Sequence, residues 1–140
     1  MKTKTYRHYG AMRFDSEKFS PAKNIEHWIK PHGCLWACDI ESNDWYGYCY
    51  ENDWENQCEE YFDFTLAEET RLLELRGMKD FEALAEKYFI SESKNLDFEQ
   101  ISMDYDALYV ELDHELYWAL YGWDIDSLLV FNPNVIRELG

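Results

Sequence analysis

Apolar positions along the chain cluster in two different rhythms. Leu128-Leu129-Val130-Phe131 is a continuous apolar run that follows Asp124-Ile-Asp126-Ser127 and ends on the turn dipeptide Asn132-Pro133. A short unbroken run closed by a turn signal predicts a strand covered on both faces, so these four residues are expected in the core, with Asp126 at its rim. Ala107-Leu108-Tyr109-Val110 predicts a second core strand. In Tyr61 to Leu66, Phe62, Phe64 and Leu66 alternate with polar residues, the period of a half-buried strand. Arg71 to Arg76, with Leu72, Leu73 and Leu75, suits either the partner of that strand or one helical turn.

Helical spacing is clearest over Asp80 to Phe89, where Phe81, Leu84, Ala85, Tyr88 and Phe89 fall on one face. Asp80 suits the N-cap or first turn. Thr5 to Arg13 reads as a first strand broken at Gly10, where a side chain is expected to obstruct a close approach. Pro31 and Gly33 introduce a second strand, Leu35 to Ile40. A polar linker lies around Ser91 to Asn95, and His114 to Gly122 suits a short helix or turn. Asp44 to Glu60 mixes Trp, Tyr, Asp and Glu without a resolvable period. Strands, one central helix and strands again predict the α+β class.

The 140 residues carry no repeat, low-complexity tract or Gly/Ser linker, and the three prolines, Pro21, Pro31 and Pro133, are expected in turns. One domain over residues 1–140 is the expectation. A content of 46% hydrophobic and 18% aromatic residues excludes an intrinsically disordered chain. The N-terminus lacks the apolar core of a signal peptide and no run of about 18 apolar residues occurs, so a soluble, cytoplasmic protein is expected, with no membrane contact. Cys34, Cys38, Cys49 and Cys58 are then expected as reduced thiols.

Charge narrows the partner class. The net charge is −16; residues 31–63 hold nine acids and no Lys or Arg, whereas residues 1–30 hold seven Lys or Arg against three acids. Affinity for nucleic acid comes largely from cations that displace counterions, so direct nucleic-acid binding is not expected and a basic protein partner is. The same charge also serves solubility, or imitates a phosphate backbone before a DNA-binding enzyme.

Several chemistries lack their residues. No phosphate-binding Gly-Lys loop, Gly-x-Gly-x-x-Gly or nucleophile elbow is present. His114-Glu115 begins like a zinc-protease helix, but Trp118 stands where the second histidine belongs. Cys34 and Cys38 with His27 and His32 do not follow finger spacing, so no metal is expected. Asp104-x-Asp106 and Asp124-x-Asp126 open like calcium loops without the sixth-position glycine or the twelfth-position glutamate. Ser127 has no partner of a catalytic motif.

His8-Tyr9-Gly10 in the first strand, Gly33-Cys34-Leu35-Trp36-Ala37-Cys38 at the second and Asp126 before the last form an ordered constellation. With the closing phrase from Tyr105-Asp106-Ala107 through Ser127 to Ile136, it resembles the ADP-ribosyltransferase fold, in its small single-domain form such as phage or mobile-element counter-defence proteins. The resemblance implies two packed sheets flanking a cleft, a few short helices, and NAD as co-substrate. It implies that His8, with Tyr9 and Gly10, binds the ribose, that Trp36, with Tyr46 as a second candidate, lies beside the nicotinamide, and that Asp126 acts at the ribosyl centre. His8 counts among both catalytic and cofactor-binding residues, and Glu111 or Asp113 is a candidate to share the work of Asp126. The sequence departs from the family where Tyr9 separates His8 from Gly10, where Trp36 replaces Tyr or Ser, and where Asp126 replaces the usual Glu.

A carboxylate beside the ribose would stabilise positive charge that develops as nicotinamide leaves, and a π face beside the cationic ring adds about 1 kcal/mol. The implied activity is transfer of ADP-ribose to a protein target. The alternative is a non-catalytic acidic inhibitor or decoy, of the anti-CRISPR or DNA-mimic kind, that holds a basic nucleic-acid-handling protein. A third is a binding module for a nucleotide-derived signal. Trp45, Tyr46, Tyr48, Tyr50 and Trp54 suit a cleft wall, an interface or an ordered loop equally, and the pattern does not set the oligomeric state.

Overall fold

Sheet order is set by which runs can be buried on both faces, and the two continuous apolar runs lie inside the sheet. The computed structural model describes residues 4–25, 28–41, 49–51, 59–90, 95–120, 123 and 126–139. Its strands are β1 (Tyr6–Tyr9), β2 (Lys23–Ile25), β3 (Trp28–His32), β4 (Leu35–Asp39), β5 (Tyr61–Leu66), β6 (Leu72–Arg76), β7 (Phe89–Ile90), β8 (Asn95–Leu96), β9 (Ala107–Glu111), β10 (Ser127–Val130) and β11 (Ile136–Glu138). Its helices include α1 (Met78–Tyr88), α2 (Phe98–Asp104) and α3 (His114–Ala119), with a 3-10 turn at Pro133–Val135.

A seven-stranded sheet runs in the order β11-β5-β1-β4-β10-β9-β6, and β2-β3 and β7-β8 form two small hairpin sheets. The class is α+β. The main strands are joined edge to edge through β1 and β4, a ladder only two pairs long, Tyr6 opposite Asp39 and Arg7 opposite Cys38. Neighbouring strands in the large sheet are antiparallel except β6 and β9. That parallel pair needs a crossover, and the chain makes it through α1, the β7-β8 hairpin and α2.

Each face of the sheet has its own core. On one, Leu75, Leu108, Val110, Leu129 and Phe131 pack under Leu84 and Tyr88 of α1, Phe98 and Ile101 of α2, and Leu116, Leu120 and Trp123. On the other, Leu35, Ala37, Ala107, Leu128 and Val130 join Tyr6, Phe62 and Phe64, with Phe14 and Phe19 of the loop after β1 partly buried against them. Leu128, Leu129 and Val130 are fully buried, as an apolar run covered on both sides requires.

The structure corrects several local expectations. Within Arg71 to Arg76, Leu72–Arg76 is a strand, but its partner is β9 and not β5. Helix α2 was not visible in the pattern: Asp97 caps it by accepting from the Gln100 amide, and Asn24 of β2 accepts from the Phe98 amide at 2.8 Å while donating to Asp97 at 2.9 Å. Pro31 lies within β3 and not in a turn; a two-stranded hairpin offers the edge position that proline tolerates. Gly10 does end β1, but through its backbone, φ +116°; an added Cβ would meet only the His8 ring, at 3.9 Å. Space decides at Gly33 instead, where φ is +83° and an added Cβ would stand 2.3 Å from the Pro21 carbonyl oxygen.

Candidate functional site

Alternation along a strand sends successive side chains to opposite faces, and this sorts the residues singled out in the sequence. His8 shares the face of Tyr6: its ring lies 5.2 Å from that of Phe62, a member of the second core. Asp126 precedes Leu128 and Val130 by even steps, so it projects from that same face. Tyr9 and Trp36 face the other way. Tyr9 meets Tyr61 edge to face at 6.0 Å, and Trp36 packs against Trp123 at 4.8 Å in the helix-covered core. The fold therefore brings His8 and Asp126 to one side and sets Trp36 behind the sheet from them. Gly10 closes the strand through its amide, which donates to the Glu60 carbonyl at 2.8 Å. Tyr46, Asp124 and most of the segment 44–60 lie outside the described residues.

At His8 the β1-β4 ladder stops and the imidazole takes over, with Nδ1 2.6 Å from the Trp36 carbonyl oxygen. A carbonyl only accepts, so Nδ1 carries the proton and Nε2 of the neutral ring is an acceptor on the Gly10 side. Burial lowers the His8 pKa below its ordinary 6.5, partly opposed by the bond to Trp36. The residue is thus a neutral histidine near physiological pH.

Asp126 accepts from the Leu112 amide at 2.7 Å, which ties the start of β10 to the end of β9. Continuing the β10 registers brings Asp126 beside Glu111 and beside Asp39, and Asp39 pairs with Tyr6. One end of this face is consequently a polar row of Tyr6, Asp39, Asp126, Glu111 and Arg76. Lys4 reaches into it, 3.5 Å from Asp39 and 5.5 Å from the centre of the Tyr109 ring. Tyr6 is pushed up to about 12, by burial first and Asp39 second. Tyr109 is raised further, by burial and then by Asp126 and Asp39. Both phenols are neutral donors across the physiological range, so the row is a set of carboxylates among protonated hydroxyls. Tyr6, Asp39 and Arg76 of this row carry no motif in the sequence; same-parity polar positions near strand ends are the available signal, but the row exists only through strand register.

The other acids of interest are committed to structure. Asp106, from the first calcium-like pair, accepts from the Arg71 amide at 2.9 Å, its guanidinium at 3.1 Å and the Asn132 side chain at 3.1 Å. The Arg71 guanidinium above all holds its pKa down to about 2. Asp104 accepts from the Tyr88 hydroxyl at 2.6 Å, and Asp113 caps α3 by accepting from the Leu116 amide at 2.8 Å. Among the described residues, no three His, Cys, Asp or Glu side chains are placed to hold a metal ion. None of Cys34, Cys38 and Cys49 is in a disulfide. No described helix is long and apolar enough to cross a membrane.

For NAD the fit is partial. His8 and Asp126 share a face, but Trp36, the implied neighbour of the nicotinamide, is held on the opposite face by Trp123. A groove of about 220 Å³ beside β6, between Leu73, Leu75 and α1, contains none of these residues, and it is smaller than the roughly 300–1,000 Å³ usual for sites of drug-sized ligands. No family model matches the chain, and no curated protein or solved structure is significantly similar to it.

Proposed function

We propose that this chain is an acidic binding protein that engages a basic surface of a protein partner, of the kind that nucleic-acid-handling proteins present. The carrying observation is how its cations are used. Among the described residues, Lys4, Arg7, Arg71, Arg76 and Arg137 each face a carboxylate of the same chain, so these cations are drawn into internal pairs in a chain that holds 29 acids against 13 basic residues. Besides residues 31–63, residues 95–136 also hold nine acids and no Lys or Arg. Glu41, Glu59, Glu60, Glu68, Glu99 and Glu115 are exposed. Such a field speeds encounter with a basic partner and selects against acidic ones. Passing a cell lysate over the immobilised chain at about 50 mM salt, then at about 500 mM, tests this reading: the bound proteins should be basic and should elute with salt.

ADP-ribosyl transfer is a second reading, favoured by His8 and Asp126 lying on one face of the sheet. Its test is labelled NAD with the native chain and with Asp126→Asn, which keeps an acceptor for the Leu112 amide but removes the charge. Label on protein that survives denaturation with the native chain alone supports transfer. Equal labelling by both removes the role of this acid.

A further inference from the structure

The large sheet ends on two edges, and they differ. The β11 edge is three residues long and carries Arg137 and Glu138. The β6 edge is five residues long and, among the described strands, pairs with β9 alone. In a parallel pair, alternate residues direct both backbone groups to the neighbour. The Arg71 carbonyl accepts from the Asp106 amide at 2.8 Å, so odd positions 71, 73 and 75 face β9. Even positions face outward, and the Arg76 amide accordingly donates to the Asp80 side chain at 2.9 Å. Leu72 and Glu74 thus present their amides and carbonyls along an edge that no described strand covers.

Beside this edge runs the groove of about 220 Å³ between β6 and α1. Leu73, Leu75, Leu84 and Tyr88 give it an apolar floor, and Asp80, Lys87 and Tyr105 also line it. On the other face of the strand, Glu74 and Glu111 share one cation, Arg76, at 3.3 and 2.8 Å. Two carboxylates to one guanidinium leave that side negative. An added strand would therefore send alternate side chains to two different surroundings, the apolar floor of the groove, bordered by Asp80 and Lys87, on one side and the acidic pair on the other.

We infer that the β6 edge is a docking site for an extended segment of the partner in which basic residues alternate with aliphatic ones, bound by strand addition. Main-chain bonds to Leu72 and Glu74 supply affinity, the groove takes the aliphatic residues, and Glu74 with Glu111 takes the Lys or Arg. The acidic rim selects this occupant over a neutral or acidic strand, including a second copy of this edge. The inference rests on the binding function proposed above and names where the partner is held.

The probe is a capped synthetic peptide of about ten residues that alternates Lys or Arg with Val or Leu, titrated into the isotopically labelled chain. The expected result is a shift of the Leu72 and Glu74 amide signals with slowed hydrogen exchange at both. Affinity should fall at least ten-fold when alternate peptide amides are N-methylated, which keeps charge and side chains but removes the edge bonds. Glu74→Pro, at an outward amide that β9 does not use, should cause a similar loss. Ala83→Trp, at an exposed helical position on the groove wall, fills the groove without altering the strand and should also weaken binding. Equal affinity of the N-methylated peptide, or unchanged binding to folded Ala83→Trp, overturns strand addition. If no peptide binds while basic proteins are still captured and released by salt, the edge site falls and the acidic-binding function stands; if neither occurs, both fall.

Discussion

His8 replaces a rung of the sheet: its Nδ1 lies 2.6 Å from the Trp36 carbonyl oxygen at the row where β1 and β4 cease to pair. The side chain thus satisfies a backbone acceptor where two strands diverge, and it does so as a neutral, desolvated ring. Burial sets its folded pKa below the 6.5 of the unfolded chain. As pH falls through 6.5 the unfolded state takes up a proton that the folded state resists, so stability declines with acidification until the folded pKa is passed. In His8→Asn the amide can still donate to Trp36 but does not titrate. Urea unfolding at about pH 7.5 and pH 5 should show a larger loss for the native chain than for His8→Asn. Parallel losses would mean that His8 is not held neutral.

Gly33 and Gly10 both have positive φ, but only Gly33 is also crowded, by the Pro21 carbonyl at 2.3 Å from an added Cβ against 3.9 Å to the nearest atom at Gly10. Gly33→Ala should therefore cost more than Gly10→Ala, whose penalty is conformational alone and about 1–3 kcal/mol. Chemical denaturation of the two variants ranks them. Equal costs would show that the turn from β3 into β4 relaxes around the new methyl group.

Asp106 joins the start of β6, the start of β9 and the end of β10 through Arg71 and Asn132. Asp106→Asn places an amide donor among these donors and should lose about 1–3 kcal/mol at neutral pH. The carboxyl titrates at about 2 in the fold against 3.8 ordinarily. Its stabilisation is therefore complete above pH 3.8 and lost as pH falls toward 2. The difference between the native chain and Asp106→Asn should narrow over that interval in acid unfolding. A constant difference would mean that Arg71 does not act on the charge.

What was legible in the sequence is what burial imposes locally. A run such as Leu128 to Phe131 must be apolar throughout because both its faces are covered, and the helical stripe over Leu84 and Tyr88 records one covered face. Neighbour relations were not legible. The partner of Leu72–Arg76 is fixed by a crossover through two helices, and α2 is anchored by Asn24, about 75 positions earlier. The site suffered in the same way: alternation separates His8 from Tyr9 within β1, but only the β1-β4-β10 registers reveal that Asp126 shares the face of His8 and Trp36 does not. The polar row of Tyr6, Asp39 and Asp126 is created by register alone.

The most direct measurement of the acidic-binding account is the affinity of the chain for its captured partner as a function of salt. The account expects log Kd to rise steadily with log salt, with affinity falling at least ten-fold between about 50 and 500 mM, and no covalent mark left on the partner after denaturation. Affinity that is unchanged across that range, or a label from NAD that persists on the denatured partner, would contradict it.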